Sequence, residues 1–411
     1  MKTLLGIERI QSLPALLLSD AARMQRVGCN AQQRRRGVGQ RGTATRQGER
    51  APGPMCPATR ATHSVQLYVR DLEALFTGVM RAWATAGIFA KRGTGLAEGT
   101  DGETTQRYDG CGHVTRKVRI EDKDGRMHAS EVTVDGGKVL VLIDAATKMP
   151  LAGKMGTIAA HESHGTRALV TQARANLAGA ARRHQVVCAK GFWDGTDRWW
   201  LPAHDSICVV PAKANMAVTA DARAQAVAQA GITVGHRVHT IRHGHGSTAG
   251  TERRETEVVG ITGLTTDDQY GTPEHGRHHH RRDCEPHVIQ AVVVRQWHGK
   301  DDGPGGKTVF LTNAAVQQPL QPFDADDDRS LLENGCSKEA KQPWDLGHAP
   351  QTNARAVWVH VRFTRLLFAL ATAYRPPCEQ AATGGEPVGW QRWRRQLLEQ
   401  NRDKVSVCAH G

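Results

Sequence analysis

The chain has 411 residues, 39% of them hydrophobic, and a mean hydropathy of −0.47, values that exclude a multi-span membrane protein and allow a sizeable soluble core of two to three domains, or one core with large insertions. Lys and Arg number 54 against 41 Asp and Glu, a net charge of +13 with a pI near 9.6, and such a surplus favours a polyanionic partner, of which nucleic acid is the usual one. Nine cysteines stand far apart with no CxxC pair, which argues against a disulfide framework or a cysteine zinc site and fits a reducing, cytoplasmic setting.

Residues 1–63 lack sustained periodicity. Glu8 and Arg9 interrupt the apolar start, leaving it too short for export or spanning. Gln32 to Arg50 is polar, basic and glycine-bearing, so burial cannot offset its ordering entropy, and the segment reads as a flexible basic arm. Residues 64–92 form an N-terminal helical segment, because Leu72, Leu75, Phe76, Val79, Met80 and Trp83 recur at helical spacing.

Residues 93–213 alternate strands and helices. His113–Ile120 and Met127–Val134 read as strands joined by a turn at Asp124-Gly125. Lys138–Asp144 is a continuous apolar run, the mark of a strand covered on both faces. A further strand within Met149–Ile158, a helix at Thr166–Ala181, a strand at Gln185–Ala189, a helix at Asp194–Ala203 and a strand at Ile207–Lys213 follow, so the fold class is α/β, a mixed sheet with flanking helices. From 214 to 307 short β-like pieces alternate with Gly-, His- and charge-rich loops, the texture of a mostly β insertion. Residues 308–375 return to core character, with a strand at Val309–Thr312 and helices at about 326–342 and 352–374; Val357, Val359 and Val361 also alternate like a strand. His360, Arg362 and Arg365 make a buried helix the better reading of Val357–Tyr374 than a membrane span. Residues 376–411 are a polar, basic tail.

Three stretches carry a family resemblance: Leu96 to Thr105 (LAEGTDGETT), Val186 to Gly195 (VVCAKGFWDG) and Asp326 to Gly335 (DDDRSLLENG). In that order, with a β insertion between the second and third, they resemble a bacterial insertion-sequence transposase of the DDE type, in the subgroup with a Y-R-E-K helix signature. The resemblance covers about residues 64–375. It implies an RNase H-like core and Mg²⁺-dependent phosphodiester cleavage and strand transfer on transposon ends and target DNA. In that chemistry two Mg²⁺ ions about 3.5–4 Å apart clamp the attacking and leaving oxygens, and hard carboxylate oxygens hold the ions.

Carried onto this chain, the resemblance gives metal-ligand roles to Glu98 and Glu333, a carboxylate- or phosphate-holding role to Arg329, and DNA contacts to Lys190, Arg329 and Lys341. Arg329 and Glu333 taken alone are an ordinary i,i+4 ion pair; the other two stretches make them site candidates. Four positions depart from the pattern. Glu98 stands for an Asp and is one methylene longer. Ala189 occupies the second Asp position and has no ligand atom. Asp326 stands for the signature tyrosine, and Ala340 for the signature lysine, with Lys341 one place later. Asp194 is expected to cap the following helix, and Asp101, three residues after Glu98, to point to the opposite face, so neither is a natural substitute. Losing a metal-site carboxylate costs roughly a thousandfold or more in rate. The reading is therefore a DNA-binding transposase impaired in catalysis, with a non-catalytic DNA-binding protein on the same scaffold as the alternative. Whether the chain forms a homodimer is open; no membrane partner is expected.

Weaker candidates are His275 to Arg282 (HGRHHHRR), better read as a solvated loop, and the group His236, His239, His243 and His245, of which only alternate members share a strand face. Gly303 to Thr308 (GPGGKT) lacks the first glycine of a phosphate loop, because position 301 is Asp301. Trp193, Trp199 and Trp200 could stack on bases, but core packing is the better reading.

Overall fold

The structure, a computed structural model, describes residues 66–121, 127–228, 233–243, 250–266, 269–270, 285–286, 289–298, 308–332 and 352–383, with the single residues 31 and 346. The chain begins with helix α1 (Val69–Thr85), which buries Leu72, Phe76, Met80 and Ala84 in a stripe at helical spacing. Leu75, a member of the expected stripe, is exposed. Strands β1 (Arg92–Thr104), β2 (Gly112–Glu121), β3 (Met127–Asp144) and β4 (Pro150–Thr157) follow, then helix α2 (Thr166–Leu177), strand β5 (Arg182–Cys188), the short helix α3 (Gly195–Trp200) and strand β6 (Ile207–Pro211). Helix α4 (Ala217–Ala228) precedes β7 (Thr233–His243), β8 (Gly250–Leu264), β9 (Gln269–Tyr270), β10 (Glu285–Pro286), β11 (Ile289–His298) and β12 (Thr308–Thr312). Helices α5 (Leu320–Leu332) and α6 (Ala354–Thr383) close the described chain.

The protein is α/β, built on one mixed sheet in the order β2-β3-β1-β5-β6-β12-β11-β8-β7, with β4 also paired to β3; β9 and β10 pair only with each other. Strands β1, β5 and β6 are mutually parallel. Strand β3 is antiparallel to β1, and β4 to β3. Strand β3 is one continuous element of 18 residues, about 60 Å long. Its inner half lies between β1 and β4, and its outer half pairs with β2 alone.

The two sheet faces bury different layers because side chains alternate along each strand. On one face Ala97, Leu140, Leu142, Val186 and Cys188 pack with Phe76, Met80, Leu169 and Leu177 of α1 and α2. On the other, Leu96, Ile143, Val187 and Val209 pack with Phe323 of α5 and Phe368 of α6. A third cluster sets Val218, Ala222 and Ala226 of α4 against β8, β11 and β12.

At the end of the core opposite Glu98 a buried ion pair joins two strands. Arg183 Nε lies 3.1 Å from Asp144 Oδ1, with both side chains 2% exposed. Asp144 also accepts hydrogen bonds from the Thr147 amide (2.9 Å) and hydroxyl (2.8 Å). Gly93 is required there, since a Cβ on it would stand 1.9 Å from Arg183 Nη1.

Several sequence expectations are corrected. The 214–307 stretch opens with a helix, α4, because its Ala-rich composition favours helix over strand. Its strands β7, β8 and β11 continue the main sheet through β12. Helix α5 starts at Leu320, earlier than expected, since Pro322 sits in the first turn, where a missing amide costs nothing. The alternation at Val357, Val359 and Val361 belongs to helix α6, in which all three are buried. That helix runs through Pro376 and Pro377 to Thr383, past the expected start of the polar tail; proline's φ is itself helical, so the cost is missing amide donors. Its stretch Ala354–Tyr374 is long and apolar enough to cross a membrane, but it is a core helix with Ala356, Val359, Leu366 and Ala369 buried. The basic arm, the Asp124-Gly125 turn, the run 275–282, His245 and the 301–307 loop lie outside the described residues.

Candidate functional site

Two of the three expected ligand positions meet through strand register. Ala97 of β1 lies opposite Cys188, the last residue of β5, and the Ala189 amide donates to the Ala97 carbonyl at 3.0 Å. Glu98 on β1 and Ala189, just past the end of the parallel strand β5, are therefore close along the backbone. Glu98 does not end its strand: β1 continues to Thr104 because its pairing with β3 extends to Asp135. Beyond Cys188, β1 has no partner on that side, and a notch opens in the sheet.

Glu98 shares the face of Leu96, over which α5 packs. That helix carries Arg329 to the site. Arg329 Nη1 donates to Glu98 Oε2 at 2.9 Å, with side chains 11% and 12% exposed. Its Nε donates to Asp326 Oδ1 at 2.8 Å, three residues back on the same helix. One guanidinium thus bridges two carboxylates from different elements, the planar fork geometry for which arginine is suited. Glu333, four residues after Arg329 in the sequence, and Lys341 lie outside the described residues, as does Ala340. Lys190 is exposed, in the one-turn 3₁₀ segment Lys190–Phe192 that follows Ala189.

Asp101 points away from Glu98, as its odd offset requires, and pairs with Arg116 and, at 3.8 Å, Lys138. Asp194 caps α3, accepting from the Asp197 amide at 3.2 Å. Trp200 is buried and stacks on His204 with ring centroids 4.0 Å apart, and Trp193 is partly buried against the core; the Trp199 side chain lies outside the described residues. His236 and His239 are exposed, and His236 pairs with Glu255 at 3.4 Å.

Glu162, which lies just before α2, belongs to no motif of the sequence. Its carboxylate fills the notch left by β5. A Cβ on Gly99 would come within 2.7 Å of Glu162 Oε1, and one on Gly191 within 2.1 Å of Oε2. Lys138 Nζ holds the same carboxylate at 3.3 Å. Only the glycines at 99 and 191, each next to or near an expected ligand position, could have hinted at a side chain lying over both.

Beneath the site the electrostatics are set by burial. Burial pushes the Cys188 thiol well above its usual range and Cys208 up to about 11. Burial likewise raises the Asp197 carboxyl to about 6, although the Arg167 amide donates to it at 3.2 Å.

No family model matches the chain, and no curated protein matches it. Among solved structures it is similar to the piggyBac transposase in its synaptic complex with hairpin DNA, at 11% identity and a TM-score of 0.34, over 77% of this chain and 54% of that one. So low a TM-score does not define a shared fold.

The donor set can be tested against paired Mg²⁺ ions directly. Such ions need several carboxylate oxygens converging on one point. Here Glu98 is engaged by a guanidinium, position 189 offers a methyl group, and among the described residues no three His, Cys, Asp or Glu side chains come together as a metal cluster. The described residues do not fit a two-metal centre.

Proposed function

We propose that this protein is a DNA-binding member of the DDE-transposase lineage, on an RNase H-like core, with strand transfer impaired in this copy. The observation that carries the reading is the contact of Arg329, from the third stretch, with Glu98, from the first, while the Ala189 amide of the second stretch donates to the carbonyl of Ala97 beside Glu98. The core order β4-β3-β1-β5-β6, with three parallel strands and an antiparallel meander, supports the RNase H-like assignment. The net charge of +13 supports a DNA partner through phosphate contacts, with Lys190 among the exposed cations available.

The arrangement favours the non-catalytic alternative over turnover. A carboxylate tied to Arg329, beside an alanine, leaves no route to activate an attacking oxygen at these positions. The chain's own residues bind, orient and fasten.

The test uses the full chain with a supercoiled plasmid and, separately, a fluorescent duplex. The duplex should be bound with an affinity that falls steeply as salt rises. The plasmid should stay intact in Mg²⁺ or Mn²⁺, beside a Glu98→Asp, Ala189→Asp double variant. Robust nicking by the unmodified protein removes the impaired-site claim, and failure to bind the duplex at low salt removes the DNA-binding claim.

A further inference from the structure

We infer that the free edge of β7 pairs with the β7 edge of a second copy of this chain, antiparallel and about a two-fold axis at Val238. The inference goes beyond the DNA-binding reading and does not depend on it.

The two ends of the main sheet differ. At one end stands β2, with Lys117 and Arg119 exposed. Two β2 strands laid antiparallel about any residue from 116 to 119 would set cation against cation, and such charges keep edge strands apart. At the other end β7 pairs with β8 alone among the described residues, through 11 successive residues without a bulge. It holds no Lys, Pro, Asp or Glu. Val234 and Val238, on one face, stay 60% and 46% exposed. A long, flat, apolar edge of this kind is a template for another strand.

The strand is complementary to itself. About the axis, Val238 meets the partner's Val238, His236 meets Thr240, Val234 meets Arg242 and Arg237 meets His239. Only the last pair sets two basic side chains opposite each other, and Arg237 already has a counter-charge, donating to Asp324 at 2.5 and 2.8 Å. Antiparallel pairing over the 11 residues makes about ten backbone hydrogen bonds, the number a typical protein interface carries. Residues opposite each other in such a ladder share a face. Helix α5, which holds Arg237 through Asp324, therefore lies on the same side of the joined sheet in both copies.

The test is sedimentation velocity of the full chain from about 1 to 100 µM, at high salt and without DNA, for wild type, Val238→Lys and Val238→Glu. Wild type should become dimeric as the concentration rises. Either variant should need at least about tenfold more protein to dimerise, because like charges then meet on the axis. An equal mixture of the two variants should recover the dimer. A wild type that stays monomeric throughout, a Val238→Lys that dimerises as readily as wild type, or a mixture no better than its components overturns the inference. Hydrogen exchange of wild type at the two ends of the concentration range decides the matter where a variant does not fold. Amides of 233–243 should gain protection at the higher concentration, and no gain there overturns the inference.

Discussion

Glu98 and Arg329 are 231 positions apart in the chain and 2.9 Å apart in the fold. Their contact joins the first core strand to the late helix, two of the three stretches that the sequence motifs single out.

That contact predicts strong coupling. Arg329→Ala should destabilise the fold by about 3 kcal/mol, because it removes the guanidinium that Glu98 and Asp326 share in a site closed to most of the solvent. Glu98→Gln should cost less, and the double variant less than the sum. Urea denaturation of the four proteins measures the interaction; additive effects within about 0.5 kcal/mol would show that the pair does not act as a unit.

The notch beside β1 predicts a rescue. Gly99→Ala or Gly191→Ala drives a methyl group into the Glu162 carboxylate and should cost about 1–3 kcal/mol. Glu162→Ala in either background should return a substantial part of that loss. No recovery in the double variants would mean that Glu162 does not fill the notch.

The buried pair at the opposite end predicts a larger effect. Asp144→Ala leaves the Arg183 guanidinium, 2% exposed, without its counter-charge and should cost about 3–5 kcal/mol. Burial already lowers the Arg183 pKa while Asp144 opposes the shift, so the variant loses the opposing influence. A drop below about 1 kcal/mol in urea unfolding would contradict the arrangement.

Asp197 predicts a pH dependence. Its carboxyl has a pKa of about 6 in the folded chain against 3.8 ordinarily, so between those values the folded state holds more protons than the unfolded one. Stability from this residue is therefore full below about pH 4 and is lost as pH rises through about 6, by roughly 3 kcal/mol in all. Asp197→Asn should be more stable than wild type at pH 7 and nearly equal to it at pH 3.5. Equal stability at both pH values would contradict the shift.

Much of the core was legible because its signals are local. The apolar runs at Lys138–Asp144 and Gln185–Ala189 mark buried strands, and β3 and β5 each have a paired strand on both sides. The opposite orientations of Glu98 and Asp101 followed from strand alternation alone. Glu162 was illegible because Gly99 and Gly191, which make room for its carboxylate, contribute space and not chemistry, and its partner Lys138 is 24 residues away. The extent of β1 past Glu98 was hidden for a related reason: Gly95, Gly99 and Gly102 blur the alternation that would mark a strand. The start of α5 was hidden by Pro319 and Pro322, which read as breakers until the first-turn position of Pro322 is known. The contact of Arg329 with Glu98 was beyond reach, since no spacing rule relates a strand to a helix so far along the chain.

The continuity of β3 has a mechanical consequence. Its inner half sets Val141 opposite Glu98, while its outer half stands beyond the body of the sheet with only β2 beside it. A load on that outer ribbon travels along one unbroken backbone to the residue facing Glu98, with no loop between to absorb it. The ribbon is a lever whose short arm ends at the ion pair.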